Sequence, residues 1–413
     1  MTKFIFSNAR VFDGWDGTLA DRDVLVEDGV IRAVEPRGLA VEGAEIVDCA
    51  GRVLMPGMID AHTHIYAASL DLAKLVAAPV TYTAHYAPHF MRHALDCGFT
   101  TIRDVAAGDI GAARALREGL ITGPRLFYGG RALSQTGGHG DVRSAEHDGW
   151  SECCACPSAH GNNMFAIIVD GVDAARKATR EELRRGASHI KIMGSGGVAS
   201  PTDPLERCQF SDEEIAAIVD EATRWGSYVA AHCHPTEAVR RCVALGVRSI
   251  EHGTLIDQPT ADFVAGREAF IVPTLATIFA LKEDGLKLGL PPVSYEKLLR
   301  VADRALEGIG IMSRAGVRMG FGTDLLGGQH VRQCTEFTLR AQVLKPLEIL
   351  RSACSINAEL MGQEDRLGCI KPGAEADLLV VDGNPLEDIS VLAADGRKLS
   401  AVMLRGRFHK RTL

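Results

Sequence analysis

His62 and His64 stand two residues apart at the end of the stretch VLMPGMIDAHTHI (53–65). Residues at that spacing on a strand point to one face, so a strand from Met58 to His64 projects both imidazoles from its carboxyl end. Two adjacent imidazoles are half of a site for a divalent transition metal, with zinc the first choice. An isolated pair would more simply be two ordinary histidines, so the decision rests on the rest of the donor set. Lys191 (HIKIM, 189–193), His232 (YVAAHC, 228–233), His252 (SIEHG, 249–253) and Asp324 (RMGFGTD, 318–324) supply it. Each lies at or near the end of a short apolar run, where an apolar or small residue is the ordinary expectation.

The elements that must position these residues follow from the same runs. FTTIRDV (99–105), PRLFYGG (124–130) and FIVPTL (270–275) bring the count of strand signals to eight. Amphipathic helical patterns lie between most of them. From Ser211 to Trp225, Ile215, Ile218, Val219 and Ala222 recur at helical spacing, and Ser211 is a plausible N-cap before Glu214. Alternating strands and helices imply a parallel sheet, and eight strands favour a closed (β/α)8 TIM-like barrel over an open sheet. Chemistry in such barrels sits at the carboxyl ends of the strands, where these polar residues fall. Residues 3 to 54 read differently, as short β runs with a hairpin signal at Asp28-Gly29. The runs 376–382 and 399–404 have the same texture. Neither chain end makes a core alone, so a small β-sandwich domain is expected from 1–57 and 365–413, with a metal-dependent barrel domain from 58–364.

Composition narrows the class. Of 413 residues 46% are apolar and 24% charged, as in an ordinary globular protein. The net charge of −8 is spread without long runs, which gives no footprint for nucleic acid and no polybasic membrane patch. MTKFIFSNARVF lacks the apolar core of a signal peptide, and no window is long enough to span a bilayer. The 11 cysteines then read as reduced thiols of a cytoplasmic enzyme.

With these motifs in place, the chain resembles the binuclear-metal type of the amidohydrolase superfamily. The pattern is HxH on the first strand followed by Lys191, His232, His252 and Asp324. The tail LGCIKPGAEADLLVVDGNPL (367–386) is similar to the family's return into its small β domain, so the resemblance spans essentially the whole chain. More narrowly, LSQTGGHGD (133–141), KIMGSGGVASPTDP (191–204) and GFGTDLLGGQH (320–330) resemble the prolidase-like branch, which cleaves Xaa-Pro or related C-terminal dipeptide bonds. Two nearby cations need an anionic bridge, yet a lysine rather than a carboxylate ends the fourth strand. Its amine must therefore be neutral, which burial beside positive charge favours.

The resemblance resolves this by adding carbon dioxide to Lys191 as a bridging carbamate. It also implies that His62, His64 and Asp324 hold one metal and that His232 and His252 hold the other. A hydroxide bridging the two metals would attack the scissile carbonyl, with Asp324 carrying its proton to the leaving nitrogen. His139 and Tyr228 match the branch's histidine and tyrosine that hold the oxyanion. Arg143 and His330 fall in loops around the mouth, where either could meet a substrate carboxylate.

Other features compete. His234 with Glu237 mimics the HxxE of metal-dependent deaminases, but a deaminase leaves Lys191 unexplained. Cys153, Cys154 and Cys156 cluster without a nameable fourth zinc ligand and read as reduced thiols. The expected protein is a zinc-dependent hydrolase of a dipeptide or N-acyl amino acid, assembled as a homo-oligomer. A xenobiotic amide or urea hydrolase is the alternative, followed by a cyclic-base deaminase and a metal-free scaffold.

Overall fold

The alternation of strands and helices closes into a (β/α)8 barrel in the computed structural model, which describes residues 2–143, 163–200 and 202–413. The first four barrel strands are Met58–Thr63, Phe99–Asp104, Arg125–Tyr128 and Ile190–Met193. Val229–Pro235, Ser249–Leu255, Phe270–Val272 and Arg318–Met319 complete the ring. Every residue of the first two strands is buried, the mark of parallel strands covered on both faces. Between the third and fourth strands the ladder thins to Ser188 N–H donating to Tyr128 O at 2.8 Å. Beside that gap the short strands Ala132–Ser134 and Ala166–Ile168 pair with one another, and the former also meets the fourth strand.

Closure occurs at the metal-type residues themselves. Ala61 N–H donates to Phe321 O at 2.8 Å, and Asp324 N–H donates to His62 O at 2.9 Å. The eighth strand can run this close because residue 322 is glycine. A Cβ there would stand 2.6 Å from Val272 Cγ1 and 2.7 Å from His62 Cβ. Outside the ring, the helix Asp212–Arg224 starts at Ser211 with a capping box to Glu214 and buries Ile215, Ile218 and Ala222.

Strands from both chain ends form a second sheet. Its order is Arg407–Arg411, Leu399–Leu404, Leu378–Val381, Val53–Pro56, Lys3–Val11, Ala20–Glu27, Val30–Glu35, with Glu45–Asp48 also paired to Lys3–Val11. The hairpin turn expected at Asp28-Gly29 has positive φ at both residues, 52° and 81°. Phe4 and Phe408 lie on strands four steps apart, about 19 Å in a flat sheet, yet their ring centroids are 5.2 Å apart. The sheet therefore curls on itself around Phe4, Phe6, Val24, Leu378 and Met403. The alternate positions Val53, Met55, Leu379, Val381 and Val402 face the other way and join the barrel's core. Arg125 of the third barrel strand is paired with Glu375 and Asp377 across this boundary. Among the described residues no helix is long and apolar enough to cross a membrane.

Candidate metal centre

The centre begins with Asp60, which points inward two residues before His62. Its carboxylate accepts from Thr323 Oγ1 at 2.6 Å, Gln333 Nε2 at 2.8 Å and His62 N at 3.1 Å, clamping the first strand to the eighth. Asp104, ending the second strand, accepts from Ile65 N at 2.6 Å and Gly108 N at 2.7 Å and so fixes the chain just after His64. The three donors so placed converge. His64 Nε2 is 3.0 Å and His62 Nε2 3.4 Å from Asp324 Oδ1. All three donor atoms lie within 4.8 Å of one another. Tetrahedral ligands about 2.1 Å from one ion are roughly 3.4 Å apart, so this set fits a single divalent cation.

A second group lies against the first. The His232 and His252 ring centroids are 4.7 Å apart, and His252 is 4.8 Å from His62. His252 Nδ1 is 2.8 Å from Thr274 Oγ1 and His232 Nε2 is 3.3 Å from Gly196 O, so each ring keeps its other nitrogen for a metal. Burial, then the neighbouring cationic groups, push both imidazoles well below their ordinary pKa, so they are the neutral rings that metals bind. Lys191 lines the same cavity. Burial draws its amine down to about 8, against the opposing pull of Glu251 and Asp324. These residues fit a second cation if the lysine is neutral or carboxylated.

Glu251 and Arg103 are the residues that sequence reasoning missed. Both are fully buried, with Arg103 Nη2 2.8 Å from Glu251 Oε1. Glu251 Oε2 accepts from His62 Nδ1 at 2.6 Å, which turns His62 Nε2 toward Asp324. Burial opposes the Glu251 charge, but Arg103 and His62 outweigh it and hold the carboxyl well below its usual range. Adjacent strand residues should face opposite ways, yet Glu251 and His252 both serve the centre. The left-handed backbone at His252 (φ 74°) breaks the alternation, and Asp324 (φ 54°) does the same after Thr323. The available signal was a glutamate inside an apolar strand, next to a ligand-type histidine.

The remaining expected site residues divide. His139 lines the cavity and stacks on His232 with centroids 4.3 Å apart. Its Nδ1 is 2.7 Å from Ser200 Oγ and 3.4 Å from Asp203 Oδ2, while its N–H donates to Gln209 Oε1 at 2.9 Å. His234 also lines the cavity, 5.1 Å from His252.

Tyr228 does not reach the site. It precedes His232 by four residues, about 13 Å along a strand, and its hydroxyl accepts from Arg103 Nη1 at 3.4 Å inside the barrel. His330 is likewise corrected, being 4% exposed and stacked on Phe90 at 4.1 Å. Burial holds its imidazole down to about 3, so it carries no charge to offer an anion. Arg143 forks onto Asp141 at 2.8 and 2.6 Å and is not among the described residues lining the cavity. Cys153, Cys154 and Cys156 lie outside the described residues.

Residues 53–408 match the sequence model of the amidohydrolase family. The chain belongs to that family. This amidohydrolase is 34% identical over 349 residues to ochratoxinase of Aspergillus niger, an alignment covering 82% of this chain and 72% of the relative. Its fold matches a solved prolidase complexed with N-methylphosphonate-L-proline at TM-score 0.95 and 43% identity, over 99% of this chain and 100% of the other. A Xaa-Pro dipeptidase with methionine bound in its active site matches at TM-score 0.87 and 27% identity, over 99% and 100%. This amidohydrolase is thus a hydrolase with prolidase structures among its neighbours.

Proposed function

We propose that this amidohydrolase cleaves the amide bond of dipeptides or N-acyl amino acids, with an Xaa-Pro-like C-terminal residue as first choice. The observation that carries this is the convergence of His62, His64, Lys191, His232, His252 and Asp324 on one cavity with apolar walls. That cavity measures about 1110 Å³, open solvent included, and Leu75, Phe165, Ile278, Leu298 and Val301 supply apolar wall. It suits a substrate with one bulky apolar group, in keeping with prolidase and ochratoxinase among the similar proteins. His62, His64 and Asp324 would hold one divalent cation and His232 with His252 the other, zinc by the donor set, with Lys191 as a carbamate between them. Cations so bound lower the pKa of water and polarise the scissile carbonyl.

The chain's own groups do the rest. Asp324 accepts the proton of the attacking water and returns it to the leaving nitrogen, which departs poorly as an anion. His139, held by Ser200, Asp203 and Gln209, presents Nε2 to the oxygen that becomes negative. Glu251 keeps His62 in one tautomer and orientation throughout. The apolar wall excludes water once a substrate side chain fills it.

A panel of Xaa-Pro dipeptides, other dipeptides, N-acyl amino acids, neutral amides and phenylureas tests the reading. The expected result is hydrolysis confined to amides bearing a free α-carboxylate, with Xaa-Pro members leading. Faster turnover of neutral amides or ureas would replace it with the xenobiotic-hydrolase reading.

Metal content gives a second prediction. After loading with zinc and bicarbonate, wild type should carry about two equivalents more than a His62→Ala/His232→Ala variant. A difference near one, with full wild-type activity, overturns the binuclear reading. Lys191→Ala should lose most activity and regain part of it with added short carboxylic acids. Wild-type rates without additives would remove the carbamate from the mechanism.

A further inference from the structure

Away from the barrel mouth, the described residues hold a second cluster of metal-ligating side chains. Cys97, Cys334 and Asp395 each present a donor atom within 4.8 Å of the other two. Three separate parts of the chain bring them together. Cys97 caps the helix Val80–Asp96, Cys334 directly precedes the helix Thr335–Arg340, and Asp395 lies in the turn after the short helix Ile389–Ala393. The turn presses so closely on the helix end that a Cβ on Gly396 would meet Asp96 O at 2.0 Å. His93, one helical turn before Cys97, puts Nε2 3.6 Å from Cys97 Sγ but stands outside the mutually close set of three.

The chemistry of the cluster is that of a cation site. Both thiols are buried and unbridged, while the Asp395 carboxylate reaches solvent and opens a route inward. Arg397 Nη1 lies 3.3 Å from Asp395 Oδ2 on the exposed side. Zinc–sulfur and zinc–nitrogen bonds of about 2.3 and 2.0–2.1 Å place tetrahedral S and N ligands roughly 3.5 Å apart. The Cys97–His93 separation already has that value.

We propose that Cys97, Cys334 and Asp395, with His93 against Cys97, form a structural site for a soft divalent cation, zinc by its chemistry. Two sulfurs and a carboxylate make a soft donor set away from the substrate cavity, unlike the centre at the mouth. Loading deprotonates both thiols, and the protons leave to solvent with no change of oxidation state. The ion ties the helix that feeds the second barrel strand to the segment returning into the chain-end sheet.

Cobalt substitution of the full-length protein tests this with a readout independent of activity. Stripped under reducing conditions and reloaded with Co2+, wild type should show thiolate-to-cobalt charge-transfer absorption in the near ultraviolet. The band should survive in His62→Ala, whose lesion lies at the mouth. It should vanish in Cys97→Ser and Cys334→Ser, with bound metal falling by about one equivalent. Asp395→Ala alters an exposed turn and so spares the fold, and it should shift the cobalt titration to higher concentration. The proposal is overturned by a wild type without the band, by an undiminished band in Cys97→Ser, or by a Cys97–Cys334 disulfide in the mass spectrum of metal-loaded protein.

Discussion

Asp324→Asn should lower turnover of an amide substrate by about 10²–10⁴-fold, the usual worth of a general acid–base step. The carboxylate lies 3.0 Å from His64 Nε2 and 3.4 Å from His62 Nε2, so asparagine of the same size keeps the contacts and loses the proton carrier. An activated ester with a good leaving group needs no protonation to depart. It should lose much less than the amide in the same variant, at equal bound metal. The comparison separates proton delivery from loss of metal, since metal loss would depress both substrates together. Equal losses with metal content unchanged would remove Asp324 from the protonation of the leaving nitrogen.

Glu251→Leu should destabilise the fold by about 3–5 kcal/mol, because it leaves the Arg103 guanidinium charged in a dry barrel interior. Both partners are fully buried, and Glu251 is the carboxylate that Arg103 meets there. Urea unfolding of metal-free protein gives the measurement without interference from bound ions. The double variant Arg103→Met/Glu251→Leu should recover much of the loss, since no charge is then stranded. A single-variant effect below about 1 kcal/mol would show that the pair is not essential to the barrel. The milder Glu251→Gln retains an acceptor for His62 Nδ1–H without the charge. It should keep more stability and weaken metal affinity by about 10–100-fold, the common worth of such an outer hydrogen bond.

These two residues mark the line between what the chain order shows and what the fold adds. The barrel was legible because eight apolar runs alternate with helical patterns, and this periodicity is local. His62, His64, Lys191, His232, His252 and Asp324 were legible as candidates because each interrupts such a run at or near its carboxyl end, where a parallel barrel places its site. The pairing of chain ends into one sheet was legible too, since neither end carries enough apolar surface for a core.

Depth, facing and partnership were not legible. Tyr228 directly precedes the strand that holds His232, and four residues of rise put it well below the mouth, against Arg103. His330 sits in a loop by sequence, and only the packing of Phe90 upon it shows that it is buried and neutral. Arg143 has a side chain long enough for a substrate, and its fork onto Asp141 exists only in the folded loop. Glu251 was hidden because strand alternation sends neighbours to opposite faces, and the positive φ at His252 suspends that rule at one residue. The second cluster joins Cys97 to Cys334 and Asp395, both more than 200 residues further along, with no spacing that shows in the chain order. The sequence by itself determined which residues can ligate and on which strands they lie, because period and residue type act over a few neighbours. Only the tertiary structure decided which of them meet, because contact, dielectric and side-chain direction depend on strands and loops distant along the chain.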